Sequence, residues 1–280
     1  MSTTHQLVVV GDPIEHSLSP LIHEAFAQQL GHSIQYTKQR VTAEGFAGYF
    51  RDFFAQGGMG ANVTVPLKTL AWQLADELDD LARDAGAVNT LKLEQGRVLG
   101  FNTDGLGIVA DIVDRHGWGL ANSSVLICGA GGATQGVMGP LIAAGVMQLH
   151  VVNRTPEKAL DLVAKFQGRS ANVSASGFDA LEELGWRPDI IINATSTGLS
   201  GQALPLPLSW ISHARCYDMS YGAQAKFAVL GRLNGAVASV DGLGMLVEQA
   251  ADAYQIWLGV RPTTQPVYAR LRQLVDRPSN

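Results

Sequence analysis

Lys68 is the first residue whose place in the chain asks for a chemical reason. It falls in "ANVTVPLKTLAWQLADELDDL", residues 61–81, where a strand-like run ends at a proline. Apolar residues then recur at helical spacing: Leu67, Leu70, Ala71, Leu74, Leu78 and Leu81. That spacing predicts a helix with Lys68 in its first turn. A helix N-terminus carries partial positive charge, so a cation there is opposed by a few tenths to about 1 kcal/mol. A solvated surface lysine tolerates that cost. A lysine engaged with an anion or a reacting group has it compensated elsewhere. The neighbouring residues leave both readings open.

Two other segments have the chemistry of phosphate binding. The apolar run 124–128 leads at once into "GAGGAT", 129–134, and then into a helical pattern. In that strand–turn–helix context Gly129 allows the tight turn, and Gly131 lets backbone approach a pyrophosphate. The helix start offers free N–H groups to the anion. Thr134 stands where a third glycine or an alanine is usual. The next strand, "LHVV", ends in "NRTPEK", with no acid at its tip to hold ribose hydroxyls. Arg154 offers a planar fork for phosphate oxygens. Thr155 suits a helix N-cap, Pro156 the first helical position and Lys158 the first turn. Two cations at a helix N-terminus fit a bound phosphate, and the cofactor read from these residues is NADP.

Polar residues also gather in the first hundred positions. "HSLSP" sets Ser17 and Ser19 at a helix start, where Ser19 reads as the N-cap and Ser17 has no capping role. Asn62 and Thr64 alternate on one side of a strand. Asn89 follows in "GAVNT" and Asp104 in "NTDG", where Asp104 serves equally as a plain helix cap. Gln249 shares an apolar helical stripe with Met245, Leu246, Ala253 and Trp257, and a buried amide there needs a partner.

The elements that must position these residues alternate strand and helix, the pattern of α/β folds with largely parallel sheets. "QLVVVGD", "SIQYTKQRV" and "GANVTVP" read as strands. "SPLIHEAFAQQLG" reads as a helix stopped by Gly31, and two strands flank a Gln-Gly turn in "AVNTLKLEQGRVLGFNTD". A second cycle begins in the helix 104–117. The expected organisation is an N-terminal domain over 1–104, a dinucleotide-binding domain over 105–242, and C-terminal helices over 243–280 packing back on the first domain.

Composition bounds what such a chain does. Its 280 residues are near the size at which chains split into two domains. A net charge of −5 without a Lys/Arg run argues against nucleic-acid binding. Cys128 and Cys216 sit in apolar runs and read as buried free thiols, with no Cys/His spacing for a metal. The N-terminus lacks a signal peptide pattern and no apolar stretch spans a membrane, so the expected setting is the cytoplasm.

Taken together, "GDPIEHSLSP", "GANVTVPLK", "AGAVNTL", "NTDG", "GAGGA", "NRT", "NATSTGLSG", "YDMSY" and "DGLGMLVEQA" resemble the shikimate dehydrogenase family in order and over nearly the whole chain. The resemblance implies two α/β domains, an N-terminal substrate domain with a mostly parallel sheet and a Rossmann-type NADP domain. It implies NADP-linked interconversion of 3-dehydroshikimate and shikimate in aromatic amino-acid biosynthesis, by a monomer or homodimer. Carried residue by residue, it implies Lys68 and Asp104 as the catalytic pair. Ser17, Ser19, Asn62, Thr64, Asn89, Tyr221 and Gln249 match substrate contacts. Gly129, Ala130, Gly131, Gly132, Ala133, Asn153, Arg154, Thr155 and Lys158 match the cofactor site, and Met219 and Gly242 its nicotinamide end. Leu18, Phe101 and Gln135 depart from residues common in the family, Lys, Asp and Arg respectively. The alternatives are a quinate/shikimate dehydrogenase, a slow paralogue and a non-catalytic NADP-binding sensor.

Overall fold

The computed structural model describes residues 4–195 and 204–277, so "NATSTGLSG" from Ser196 onward lies outside the described residues. The chain divides into two compact units. One holds the residues through Gly107 together with Val247–Arg270, and the other holds Ile108–Leu246 with the segment from Leu271 on. Of 243–280, then, only 247–270 fall in the first unit.

The first unit carries a six-stranded sheet in the order β2-β1-β3-β5-β6-β4. Its strands are β1 (His5–Gly11), β2 (Ile34–Arg40), β3 (Gly58–Val63), β4 (Glu77–Leu78), β5 (Thr90–Glu94) and β6 (Arg97–Phe101). β5 alone runs against its neighbours. It does so because Gln95 and Gly96 both take positive φ (52° and 79°), the geometry of a tight two-residue hairpin. Helices α1 (Ser19–Leu30) and α2 (Phe46–Ala55) cover the parallel strands. Val8, Val10, Phe46, Phe50, Ala61, Val63, Leu67 and Leu91 form the core on one side, each large side chain contributing about 1.5–3 kcal/mol of burial.

The helix expected over 67–81 is broken. Helix α3 (Lys68–Leu74) ends at Ala75, whose backbone is extended. Asp76 then accepts the Val98 N–H at 2.7 Å, and Glu77–Leu78 joins the sheet beside β6. Asp79 caps α4 (Asp80–Ala85) by accepting the Ala82 N–H at 2.7 Å. Short acidic side chains that take up backbone donors end a helix that apolar spacing alone would continue.

The second unit holds a sheet parallel throughout, in the order β12-β11-β10-β7-β8-β9. The strands are β7 (Ser124–Cys128), β8 (Gln148–Val152), β9 (Asn172–Ser176), β10 (Ile190–Asn193), β11 (Arg215–Asp218) and β12 (Ala238–Asp241). This is the doubly wound order, whose direction reverses between β7 and β10; ligands of such sheets bind at that reversal. β7 is buried along its full length, as expected of a strand covered on both faces. Helices α6 (Gly132–Ala143) and α7 (Pro156–Ala164) follow β7 and β8. The helix α5 (Asp104–Ala110) widens into a π-turn over Asp111–Arg115. Buried Asp111 there accepts from Tyr217 Oη at 2.6 Å and pairs with Arg115 at 2.9 Å. Helix α8 (Leu208–Ile211) precedes β11, and α9 (Lys226–Leu233) precedes β12. Helices α10 (Leu243–Leu258) and α11 (Gln265–Val275) complete the chain. Cys128 and Cys216 are free and buried. Among the described residues no helix is long and apolar enough to cross a membrane, and no His/Cys/Asp/Glu group could hold a metal ion.

Candidate active site

Lys68 opens α3 because its predecessor, Leu67, is fully buried as the N-cap residue and pins the helix start to the sheet. The Val88 N–H donates to the Lys68 carbonyl at 3.0 Å, tying that start to the segment that carries Asn89. Asp104 opens α5, 36 residues later. The Lys68 ammonium donates to Asp104 Oδ2 at 2.5 Å, with the two side chains 26% and 16% exposed. The cation at a helix N-terminus is thus matched by a carboxylate.

Asp104 is not used as a helix cap. Its Oδ1 accepts from Asn89 Nδ2 at 2.9 Å, and its own N–H goes to Asn102 Oδ1 at 3.1 Å. Asn89, 3% exposed, is the hub. Its Oδ1 accepts from the Thr103 N–H (3.0 Å) and the Thr90 hydroxyl (2.9 Å). Its Nδ2 faces Asp104, Thr103 Oγ1 and Gln249 Oε1. Gln249 on α10 therefore joins this cluster, as a polar amide on an apolar stripe requires.

Asn62 is buried and engaged at both ends. Its Oδ1 accepts from Tyr36 Oη at 2.6 Å and lies 3.1 Å from His23 Nε2. Its Nδ2 donates to the Asn89 carbonyl and to Thr90 Oγ1. A substrate contact at Asn62 would replace one of these bonds. Burial pushes the His23 imidazole down to about 3, more than the Asn62 bond raises it, so the ring stacks on Tyr36 as a neutral group, centroids 4.3 Å apart. Ser19 differs from the expected cap. Leu18 is the N-cap residue and no side chain caps α1. Instead Ser17 Oγ donates to Ser19 Oγ at 3.1 Å and accepts the Ser19 N–H. Two hydroxyls lie side by side at the start of the helix. Thr64, half-buried beyond β3, packs close to Gly11, where an added Cβ would meet its methyl group at 2.5 Å.

In the second unit Gly129 has φ +108°, and a Cβ there would approach Ala194 and Thr195, so the turn itself requires glycine. Gly131, the N-cap of α6, has φ −95°, and a Cβ on Gly131 or Gly132 would meet nothing. Neither conformation nor packing explains those two glycines. They leave room for a ligand to pass close to the backbone. Thr134 fills the third-glycine position as a tie, its buried hydroxyl donating to the Gly129 carbonyl at 2.7 Å. Ala130 and Ala133 complete the loop. At the tip of β8, Asn153 Nδ2 donates to the Thr155 carbonyl at 2.9 Å and braces the turn. Thr155 is the N-cap residue of α7 but makes no side-chain cap. Arg154 and Lys158 are exposed, with Glu157 in the same first turn. Exposed cations after a strand tip, beside an open glycine loop, fit a phosphorylated dinucleotide.

Gly242 lies where β12 gives way to α10, and a Cβ there would sit 2.4 Å from the Met219 carbonyl. Met219 is thereby held at the exit of β11, beside Asp218. That buried carboxylate accepts from Asn193, Ser220, Phe227 and Ala228, while burial holds its pKa above the usual range against the pull of those bonds. Tyr221 is in this second unit, half-buried, with burial raising its phenol. Sequence reading missed Thr90, Thr103 and Asp111. The first two stand next to Asn89 and Asp104 in the chain, but their residue type does not set them apart from ordinary strand and turn threonines.

Three family descriptions match in series: the shikimate dehydrogenase substrate binding domain over residues 9–91, shikimate/quinate 5-dehydrogenase over 111–200, and the shikimate 5'-dehydrogenase C-terminal domain over 242–272. The chain belongs to the shikimate dehydrogenase family. A relative from Methylobacillus flagellatus named shikimate dehydrogenase (NADP(+)) is 48% identical, the match covering 94% of this chain and 97% of that one. Among solved structures, an Ael1 enzyme from Pseudomonas putida matches with TM-score 0.89 and 39% identity, covering 95% and 98% of the two chains. Shikimate 5-dehydrogenase from Thermus thermophilus in complex with NADP(H) and shikimate matches with TM-score 0.81 and 29% identity, over 96% and 99%. Membership in this family accounts for the pairing of a side-chain cluster with a dinucleotide loop in one chain.

Proposed function

We propose that the protein is an NADP-dependent shikimate dehydrogenase, reversibly reducing 3-dehydroshikimate to shikimate. The observation that carries the reading is the 2.5 Å contact of Lys68 with Asp104. It stands in a chain that shares 48% identity with an NADP(+) shikimate dehydrogenase. A binding-only sensor has no need of both members of that pair. Oxidising a secondary alcohol removes a hydride from carbon and a proton from oxygen. NADP, when bound, supplies or accepts the hydride. Lys68 as the neutral amine takes the hydroxyl proton in the oxidation, and as the ammonium returns it in the reduction. Asp104 orients the ammonium, and Asn89 holds Asp104.

Ser17 and Ser19 serve the ring carboxylate, and Thr64, Tyr221 and Gln249 the ring hydroxyls. Asn62 frames the cluster. Gly129, Ala130, Gly131, Gly132 and Ala133 hold the pyrophosphate. Asn153, Arg154, Thr155 and Lys158 hold the 2'-phosphate end, and Met219 and Gly242 line the nicotinamide end. The domain assignments follow: residues 1–104 and most of the C-terminal helices bind substrate, and 105–242 bind NADP.

The test is a rate measurement by cofactor absorbance with shikimate and quinate, each offered NADP⁺ and NAD⁺. Quinate carries an extra hydroxyl on the carboxylate-bearing carbon. The paired serines give that hydroxyl little room, and Leu18 gives it no partner. Shikimate with NADP⁺ is expected to exceed quinate by at least about 10²-fold in kcat/KM, some 2.7 kcal/mol. Comparable values for the two acids would move the protein to the dual-substrate class.

A further inference from the structure

Thr90 is fully buried on β5, where a valine would fill the space with no hydroxyl to satisfy. Its hydroxyl is used in both directions. It donates to Asn89 Oδ1 at 2.9 Å and accepts from Asn62 Nδ2 at 3.1 Å. The two amides are therefore coupled through one proton. Asn62 keeps its oxygen toward the Tyr36 hydroxyl and the His23 Nε2, so its NH₂ faces Thr90. The Thr90 hydroxyl still has its one hydrogen to place, and Asn89 Oδ1 is the acceptor it finds; the Thr103 N–H, a donor only, calls for the same oxygen. Asn89 must then present Oδ1 to Thr90 and Nδ2 to Asp104. The flipped amide would set its oxygen against the Asp104 carboxylate, two acceptors with no proton between them.

Thr103 also donates to Asn89 Oδ1, but it directly precedes Asp104 and travels with it. Thr90 is fixed from elsewhere, in register opposite Asn62 on β3 and Phe101 on β6.

We infer that Thr90 is a positioning residue for the proton-transfer pair, setting the Asn89 amide so that Asp104 is held on Lys68. The inference rests on the reading that Lys68 and Asp104 carry the proton step. The buried chain from Tyr36 through Asn62, Thr90 and Asn89 to Asp104 transmits no proton during turnover. It fixes which way each amide faces.

Four variants, Thr90→Val, Thr90→Ser, Asn89→Ala and the Asn89→Ala/Thr90→Val double, test it beside the unmutated protein and Lys68→Met, with shikimate and NADP⁺. Thr90→Val removes the hydroxyl at nearly constant shape and is expected to lower kcat about tenfold with KM changed less than threefold, since misplacement of a catalytic group acts on the chemical step. It is also expected to enlarge the solvent deuterium isotope effect on kcat, which a purely structural residue would leave alone. Thr90→Ser keeps the hydroxyl and is expected within about twofold of the unmutated rate. Added to Asn89→Ala, Thr90→Val is expected to cost nothing further, because its effect runs through Asn89. Thr90→Ala replaces Thr90→Val should the valine variant fail to fold. A folded hydroxyl-less variant with unchanged kcat and isotope effect overturns the inference, as does equal loss in the serine variant. Side-chain amide exchange gives a reading without substrate: Asn89 NH₂ protons are expected to exchange faster in Thr90→Val, and unchanged exchange overturns the inference. Turnover lost in Lys68→Met but intact in Thr90→Val sinks only the role of Thr90. Absence of turnover in the unmutated protein sinks the functional reading instead.

Discussion

The two units present their chemistry by different means. In the first, side chains carry the candidate site: Lys68, Asp104, Asn89, Thr90, Thr103 and Gln249 interlock by hydrogen bonds. In the second, the backbone does. A glycine turn and a helix start lie open, and the cations after the β8 tip are exposed. The difference follows from the sheets. One antiparallel strand in the first sheet sets polar residues of β3 and β5 directly opposite each other, as with Asn62 and Thr90. In the all-parallel second sheet β7 is buried end to end, and the glycine turn lies beyond its end. Substitutions in the first unit should therefore cut the chemical step, and those in the second should cut cofactor affinity.

Lys68→Met is the severest test of the first half of that contrast. Methionine keeps the apolar stem and the helix propensity. The expected outcome is a fall in kcat of at least about 10²-fold, the scale of a lost general acid–base, with KM changed far less. Near-normal turnover would leave the Lys68–Asp104 pair a structural contact only.

Each unit also buries a neutral histidine, His23 on α1 and His150 on β8, and these compare the units in acid. Burial pushes His23 to about 3 and His150 to about 4, both below the ordinary 6.5. A group whose folded value is depressed binds its proton more readily when unfolded. Stability is then intact above about 6.5 and lost as pH falls toward the folded values. Between pH 7 and pH 5 each histidine is expected to cost its unit roughly 2 kcal/mol. His23→Gln should remove that dependence from β1–β3 as followed by hydrogen exchange, leaving β7–β8 unchanged. An unaltered acid response in the first unit would show that its histidine is not the cause.

Much of this architecture was legible in the residues. β1 and β7 follow from apolar runs, and the β5–β6 hairpin from Gln95-Gly96. The strand β9 was not, because "NVSAS" is half polar and its place is set by pairing with β8. The two-residue β4 owes its existence to acidic side chains that capture backbone donors, which apolar periodicity does not register. At the site, Lys68 was conspicuous by its conflict with the helix dipole. Its union with Asp104 spans 36 residues and came from family resemblance, since no spacing encodes it. Thr90 looked like an ordinary β-former, and only Asn62 on β3 and the Asn89 amide give its hydroxyl a direction.

Gly131→Ala probes the second unit directly. The added methyl meets no protein atom and the backbone is not in the left-handed region, so thermal stability should change little. Affinity for NADP⁺ and NAD⁺ alike should fall by at least about tenfold, because both carry the pyrophosphate that the loop is proposed to cradle. Unchanged titrations of both cofactors would leave the open glycines without a ligand to explain them.

Arg154→Ala separates the phosphate that distinguishes the two cofactors from the pyrophosphate they share. Arg154 is exposed at the β8 tip, where no acid stands to hold ribose hydroxyls. A guanidinium–phosphate contact is charge-assisted, but at an exposed site salt and water screen it. The expected loss is therefore modest, about tenfold in NADP⁺ affinity, or about 1.4 kcal/mol, with NAD⁺ nearly unchanged. Raising the salt concentration should shrink the difference between variant and unmutated protein for NADP⁺ alone. Equal weakening of both cofactors would mean that Arg154 shapes the β8–α7 turn, and the choice of NADP would then rest on Lys158 and the braced Asn153–Thr155 backbone.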